Sequence, residues 1–295
     1  MEPTYVGGLV ELADAYDAFV IDQWGVIHDG TRLYPGAIRV FRLLREIGKP
    51  VVILTNSRKR TDINITRLSC LGLTRDLYDG LISSAELLRN LLVARSASPW
   101  KALGDRVFVV GLPDDLALLD GTRYRPVPNV ESCDFVLLLS TANGATAGAH
   151  DGWLRKAAAR CLPLVTSSAE LLTVNEVGVF TGLAGLVRRY RRYGGTVITV
   201  GKPHSEVYRE CDMLLAGLDN TRILAIGDQF ESDVVGAKQH GYHAAMVLTG
   251  AASVTFQGVA DRRSIAAAIA GLGEPGVSCD FVLPSLQWSP APGSR

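Results

Sequence analysis

Short apolar runs rich in β-branched residues alternate along this chain with longer stretches in which apolar residues recur every three or four positions. An uninterrupted apolar run suits a parallel strand buried on both faces, and the periodic stretches suit the helices that cover it. Residues 17–21 (DAFVI) predict a strand running into Asp22, and 50–54 (PVVIL) a second one ending at Thr55. Between them, residues 36–47 carry Ile38, Phe41, Leu44 and Ile47 at helical spacing, and Gly48 ends the run. A further helix is expected over 58–71, closed by Gly72.

The second half repeats this grammar. A helix over 183–193 stops at Gly194-Gly195, and a strand over 196–200 (TVITV) delivers Gly201 and Lys202. Then come a helix over 205–216, a strand over 222–226 (RILAI) ending at Gly227-Asp228, a helix over 234–240, and strands over 243–248 and 280–283. Residues 81–180 have their own strands at 107–110 and 135–139 and a helix near 153–160, enough for a separate insert. The expected fold is therefore α/β, a Rossmann-like parallel core split as 1–80 and 181–295 around an inserted α/β domain at 81–180. The polar, Pro-rich end QWSPAPGSR reads as a loose tail.

Composition narrows the partners. Thirty Lys and Arg balance thirty Asp and Glu, so no net positive field draws in a nucleic acid or an anionic membrane. The cluster Arg188, Arg189, Arg191, Arg192 reads as a solvated helix face. Five scattered cysteines without a CxxC pair argue against a disulfide framework or a thiolate zinc site, and reduced thiols are expected. The N-terminus lacks the basic start and apolar run of a secretory signal, and no segment nears the ~20 apolar residues that span a bilayer. A cytoplasmic location is expected, and a homodimer is left open.

Ligands of open parallel sheets gather at the carboxyl ends of the strands. Four strands end in polar residues there: Asp22, then Thr55-Asn56-Ser57, then Gly201-Lys202-Pro203, then Gly227-Asp228 with Asp233 five residues on. Three carboxylates, a hydroxyl and an ammonium suit phosphoryl transfer to a protein carboxylate with Mg2+ as the cofactor. No G-x-G-x-x-G follows the first strand, which disfavours dinucleotide-dependent redox chemistry.

The ordered set Asp22-Gln-Trp-Gly-Val, Leu54-Thr-Asn-Ser, Gly201-Lys-Pro-His and Gly227-Asp-Gln-Phe-Glu-Ser-Asp233 resembles the four motifs of the haloacid dehalogenase superfamily. Tyr34-Pro-Gly-Ala, and an insert placed between the second and third motifs, look like its class IIA branch of NagD-like and 4-nitrophenylphosphatase-like proteins. The resemblance implies that Asp22 is the nucleophile of an aspartyl-phosphate, with Thr55, Asn56, Ser57, Gly25 and His204 on the phosphate side and Lys202 steadying the transfer. It implies Mg2+ held by Asp22, the backbone carbonyl of Trp24 and Asp228, with Asp233 as a further ligand or as support behind the ligands, and a C2-type cap made by the insert. The implied substrate is a small phosphorylated metabolite.

One position departs from the pattern. Family phosphatases carry an Asp two residues after the nucleophile as general acid and base, and here that residue is Trp24, which cannot shuttle a proton. General acid–base help is worth ~10^2 to 10^4 in rate. Alkyl phosphates should therefore turn over slowly unless another group substitutes, and His28 and Asp29 in the following turn are the nearest candidates. The alternative is a phosphate-binding protein impaired in turnover, with Trp24 as a stacking surface or plug.

Overall fold

A computed structural model of the chain describes residues 2–141, 147–259, 261–272 and 277–290. Its larger sheet has seven strands, all parallel, in the order Thr4–Tyr5, Phe281–Leu283, His243–Val247, Ile223–Gly227, Ala18–Ile21, Val51–Thr55, Gly80–Ser83. From Ala18–Ile21 the chain works outward through Val51–Thr55 to Gly80–Ser83. It later resumes at Ile223–Gly227 and works outward the other way. The order thus reverses between the two central strands, which puts the ligand crevice of such a sheet at their carboxyl ends.

Alternate side chains of these strands enter opposite layers. Phe19, Ile21, Val51, Ile53, Leu224 and Ile226 pack with Val40, Phe41 and Leu44 of the helix Ala37–Glu46. Ala18, Val20, Val52, Leu54, Ile223 and Ala225 pack on the other side with Val207, Tyr208 and Cys211 of the helix Ser205–Leu214. Burial on both faces is the reason these strands are apolar throughout.

The smaller sheet is also all parallel, in the order Val197–Thr199, Leu164–Thr166, Phe135–Leu138, Arg106–Val110, Arg125–Pro126. An antiparallel hairpin, Leu172–Asn175 with Gly178–Thr181, follows its strand Leu164–Thr166 in the chain and packs against the helix Gly250–Thr255. Ala85, Leu88 and Leu92 of the helix Ser84–Ala94 share one apolar layer with Val107, Phe135, Leu137 and Val165, so the two sheets are joined by packing as well as by chain.

Three expectations need correction. The strand before Lys202 pairs with Leu164–Thr166, in the smaller sheet and not the larger one. The helix Ala184–Arg192 likewise buries Leu186, Val187 and Tyr190 against Val136, Leu138 and Leu164 of that sheet. Conversely, Gly80–Ser83 is an edge strand of the larger sheet. The inserted unit therefore runs from after Ser83 to Thr199 by sheet membership, beyond the limits 81–180. Buried parallel strands have the same residue pattern in either sheet, so pattern alone does not assign them.

The tail expectation also fails for the described part. Leu9 and Val10 N–H donate to the carbonyls of Gln287 and Trp288, both at 2.9 Å, and Trp288 packs against the buried cluster. Residues 291–295 lie outside the described residues. All five cysteines are free thiols, with Cys133, Cys211 and Cys279 buried and Cys70 and Cys161 exposed. No helix among the described residues is long and apolar enough to cross a membrane.

Candidate active site

The two central strands deliver Asp22 and Asp228 side by side, and the register that pairs Ile21 with Ile226 is what aligns them. Lys202 Nζ lies 2.6 Å from Asp22 Oδ1 and 2.6 Å from Asp233 Oδ1, with all three side chains buried. Ligand-capable oxygens of Asp22, Asp228 and Asp233 lie within 4.8 Å of one another. Asp228 Oδ2 accepts from Ala251 N–H at 2.7 Å, while its Oδ1 is buried without a partner. Asp233 Oδ2 accepts from Gln229 N–H at 3.0 Å and so ties down the loop that carries Asp228.

Three carboxylates around one ammonium strain the charge balance. Burial pushes the Asp22 carboxyl up to about 7; Lys202 pulls against this and the charge of Asp233 adds to it. Burial, reinforced by Asp22 and Asp233, raises Asp228 well above the carboxylate range. Burial opposes the charge of Lys202, but Asp22, Asp233 and Glu170 outweigh it and raise the ammonium well above its ordinary value. A divalent cation would relieve this repulsion and engage the orphaned Asp228 Oδ1, so the donor set fits one.

Glycines make the approach possible. Gly25 has φ +83°, and a Cβ there would lie 2.0 Å from Asp228 Oδ2. Thr249 Oγ1 donates to Gly25 O at 2.6 Å and fixes the loop. Gly25 thus sits directly against the Asp228 carboxylate, with its own N–H donating to His28 O at 2.9 Å.

Asp22, Trp24, Thr55, Asn56 and Ser57 line a cavity of about 680 Å³ between the two sheets. Thr55 Oγ1 accepts from Ser57 N–H at 3.2 Å, which shapes the loop after the strand. Asn56 departs from its expected role: its Oδ1 accepts from Lys202 N–H at 2.8 Å, and its Nδ2 donates to Lys202 O and to Glu170 Oε1 at 3.1 and 3.0 Å. That carboxamide is spent on positioning Lys202, and both of its N–H groups are used. His204 is exposed at the start of the helix Ser205–Leu214, with its N–H donating to Gly201 O at 3.0 Å, so the turn at Pro203 carries it away from the cavity.

Two family models match the sequence: a haloacid dehalogenase-like hydrolase model over residues 19–125 and a HAD-hydrolase-like model over 199–269. Both matched segments carry the residues that converge here, Asp22 and Thr55 in the first and Lys202, Asp228 and Asp233 in the second. The chain belongs to the haloacid dehalogenase-like hydrolases. The sugar-phosphatase AraL of Bacillus subtilis is 29% identical over 79% of this chain and 83% of its own. The D-glycerol 3-phosphate phosphatase of Mycobacterium tuberculosis is 26% identical over 81% of this chain and 65% of its own. A haloacid dehalogenase-like hydrolase from Brucella suis 1330 superposes with a TM-score of 0.79 at 24% identity, covering 95% of this chain and 99% of that one.

Within this haloacid dehalogenase-like hydrolase, Trp24 occupies a defined place. Arg67 stacks 5.0 Å above its ring, and His28 meets its edge at 4.6 Å. His28 is fully buried, accepts from Gly30 N–H at 2.9 Å, and is pulled down to about 4 by burial and by the charge of Arg67. For Asp29 partial burial raises the carboxyl, but hydrogen bonds from Thr31 and Arg32 outweigh it and leave it at about 2. Neither residue lines the cavity, so neither replaces the proton shuttle absent at Trp24.

The sequence did not point to the residues that arrive from the smaller sheet. Glu170 reaches Asn56, Glu176 at the hairpin tip pairs with Arg67 at 2.8 Å, and Asp115 accepts from Arg58 Nε at 3.0 Å. These three polar bridges pin the inserted unit over the site. Arg189 leaves the solvated face assigned to its cluster, pairing with Asp151 at 3.0 Å and lining the cavity, whereas Arg188, Arg191 and Arg192 are exposed.

Proposed function

We propose that the chain is a capped phosphohydrolase of a small phosphorylated metabolite, working through an aspartyl-phosphate on Asp22. The observation that carries this reading is Lys202 Nζ at 2.6 Å from both Asp22 and Asp233, with the unpartnered Asp228 Oδ1 beside them. The names of the relatives, a sugar phosphatase and a glycerol phosphate phosphatase, support the substrate class. So does a glycerol phosphate phosphatase from Mycobacterium tuberculosis in complex with magnesium, which shares this fold with a TM-score of 0.65. We infer Mg2+ as the cofactor, held by Asp22 and Asp228 with Asp233 behind them; when bound it neutralises charge on the phosphoryl oxygens and keeps Asp22 ionised.

Asp22, the nucleophile, stands at the crevice with one oxygen fixed by Lys202, which aims the other at phosphorus. Lys202 also offsets charge on the transferring group, and Asn56 keeps its backbone in place. Thr55 and Ser57 offer hydroxyls at the cavity wall for phosphate oxygens. The unit above excludes water, and its cavity admits a substrate larger than phosphate itself.

The test is phosphate release with Mg2+ from a panel of sugar phosphates, glycerol phosphate and an aryl phosphate, by wild type and Asp22→Asn. The wild type should be active and the variant inactive. Equal activity in the two proteins would remove Asp22 as nucleophile.

A further inference from the structure

Attack by Asp22 comes from the larger sheet, so the bond to the leaving oxygen breaks toward the cavity side formed by the smaller sheet. Among the described residues, three carboxyls line this cavity: Asp22, Glu170 and Glu176. Asp22 is the floor, and Glu176 is held ionised by its pair with Arg67 at 2.8 Å. Glu170 differs from both. It follows the strand Leu164–Thr166 at its carboxyl end and is held by neutral donors, the Asn56 amide at 3.0 Å and the Ser168 hydroxyl. Its backbone is fixed as well, since Ala184 N–H donates to Glu170 O at 3.0 Å and a Cβ on Gly182 would meet that oxygen at 2.3 Å.

We propose that Glu170 is the general acid and base of this enzyme, doing from the inserted unit the work that the residue at position 24 cannot do. The inference rests on the phosphohydrolase reading above. In the first step an Asp22 oxygen bonds to phosphorus, and the bond from phosphorus to the leaving oxygen breaks. The electron pair stays on that oxygen, which takes the proton of the Glu170 carboxyl. In the second step the Glu170 carboxylate takes a proton from water, whose oxygen bonds to phosphorus. The bond from phosphorus to Asp22 breaks with its electrons returning to the carboxylate, phosphate departs, and Glu170 is protonated again. The environment favours a carboxyl that can hold a proton: burial raises it, Lys202 opposes and Asp233 adds.

The decisive variant is Glu170→Gln, which keeps the shape and still offers Asn56 an acceptor, so a merely structural role predicts little change. Loss of acid catalysis predicts a fall of ~10^2-fold or more in kcat/KM for an alkyl phosphate such as glycerol phosphate. For an aryl phosphate, whose leaving group needs no proton, kcat/KM should fall less than ~10-fold. Its phenol should then appear as a burst stoichiometric with enzyme, because the second step has lost its base. Adding Trp24→Asp to Glu170→Gln should restore alkyl phosphate turnover.

Unchanged kcat/KM for both substrates would overturn the proposal. So would an equal loss for both, which would mean that Glu170 acts only through Asn56 and Lys202. A wild type inert toward every phosphate ester would instead defeat the phosphohydrolase reading, whereas an active wild type with an indifferent Glu170→Gln defeats only this inference.

Discussion

Replacing the nucleophile should abolish activity and, without metal, make the protein more stable. Burial raises Asp22 from the ordinary 3.8 to about 7 in the metal-free site. A gap of that size amounts to roughly 4 kcal/mol at ~1.4 kcal/mol for each pH unit. The sign follows from where the proton sits. A carboxyl whose pKa rises on folding contributes stability that is complete below its unfolded value and is lost as pH climbs through the folded value. Asp22→Asn cannot ionise, and Lys202 keeps Asp233 as a partner at 2.6 Å, so the variant escapes the loss without leaving a bare ammonium. Its advantage over wild type should grow from roughly 2 kcal/mol near pH 5 to roughly 4 kcal/mol near pH 8. At ~2 °C per kcal/mol for a chain of this size, the gap in melting temperature should widen by about 4 °C. The assay is a set of thermal and urea melts of both proteins in chelator across that range. A variant less stable than wild type near pH 8, or a difference indifferent to pH, would refute the charge argument. Added Mg2+ should narrow the gap by stabilising wild type, by about 2.7 kcal/mol at a hundredfold excess over Kd.

Gly25→Ala should lower kcat by ~10^2-fold and reduce stability in a urea melt, because a Cβ at 2.0 Å displaces the Asp228 carboxylate and φ +83° disfavours a side chain. Asn56→Ala removes three hydrogen bonds around Lys202 and Glu170; it should cost about 2 kcal/mol in chemical denaturation and lower kcat more than it raises KM. Cys161 is exposed at φ 53° just past the helix Asp151–Ala159, so Cys161→Gly should raise stability by up to ~1 kcal/mol, and a lower melting temperature would contradict this.

The core was legible because its strands are buried on both faces and therefore announce themselves as apolar runs. Ala18–Ile21, Val51–Thr55, Ile223–Gly227, His243–Val247 and Phe281–Leu283 all fall where such runs stand, each within a residue or two. What pattern could not supply is membership. Val197–Thr199 is only partly buried and three residues long, and its partner Leu164–Thr166 was not anticipated, so proximity to Lys202 drew it into the wrong sheet. The two-residue strand Thr4–Tyr5 pairs with Phe281–Val282, and Gln287-Trp288 docks on the N–H groups of Leu9 and Val10, pairings across the whole length of the chain with no local signature.

The site divides in the same way. Asp22 and Asp228 were readable because each follows an apolar strand, and Thr55 because it ends one; the topology of the larger sheet sends these ends to one rim, where Lys202 joins them from the smaller sheet. Glu170, Glu176 and Asp115 follow no motif, because what defines them is the residue they face across the gap: Asn56, Arg67 and Arg58. Asn56 shows how the two kinds of information meet. The motif correctly placed it at the site, but the hydrogen bonds assign its carboxamide to Lys202 and to Glu170 of the opposing unit. One side chain therefore links the ammonium that holds the nucleophile to the carboxyl that arrives from the inserted unit. Seating that unit and aligning Lys202 become the same event, which is why a cap variant that loosens the Glu170 contact should act on kcat even when KM is unmoved.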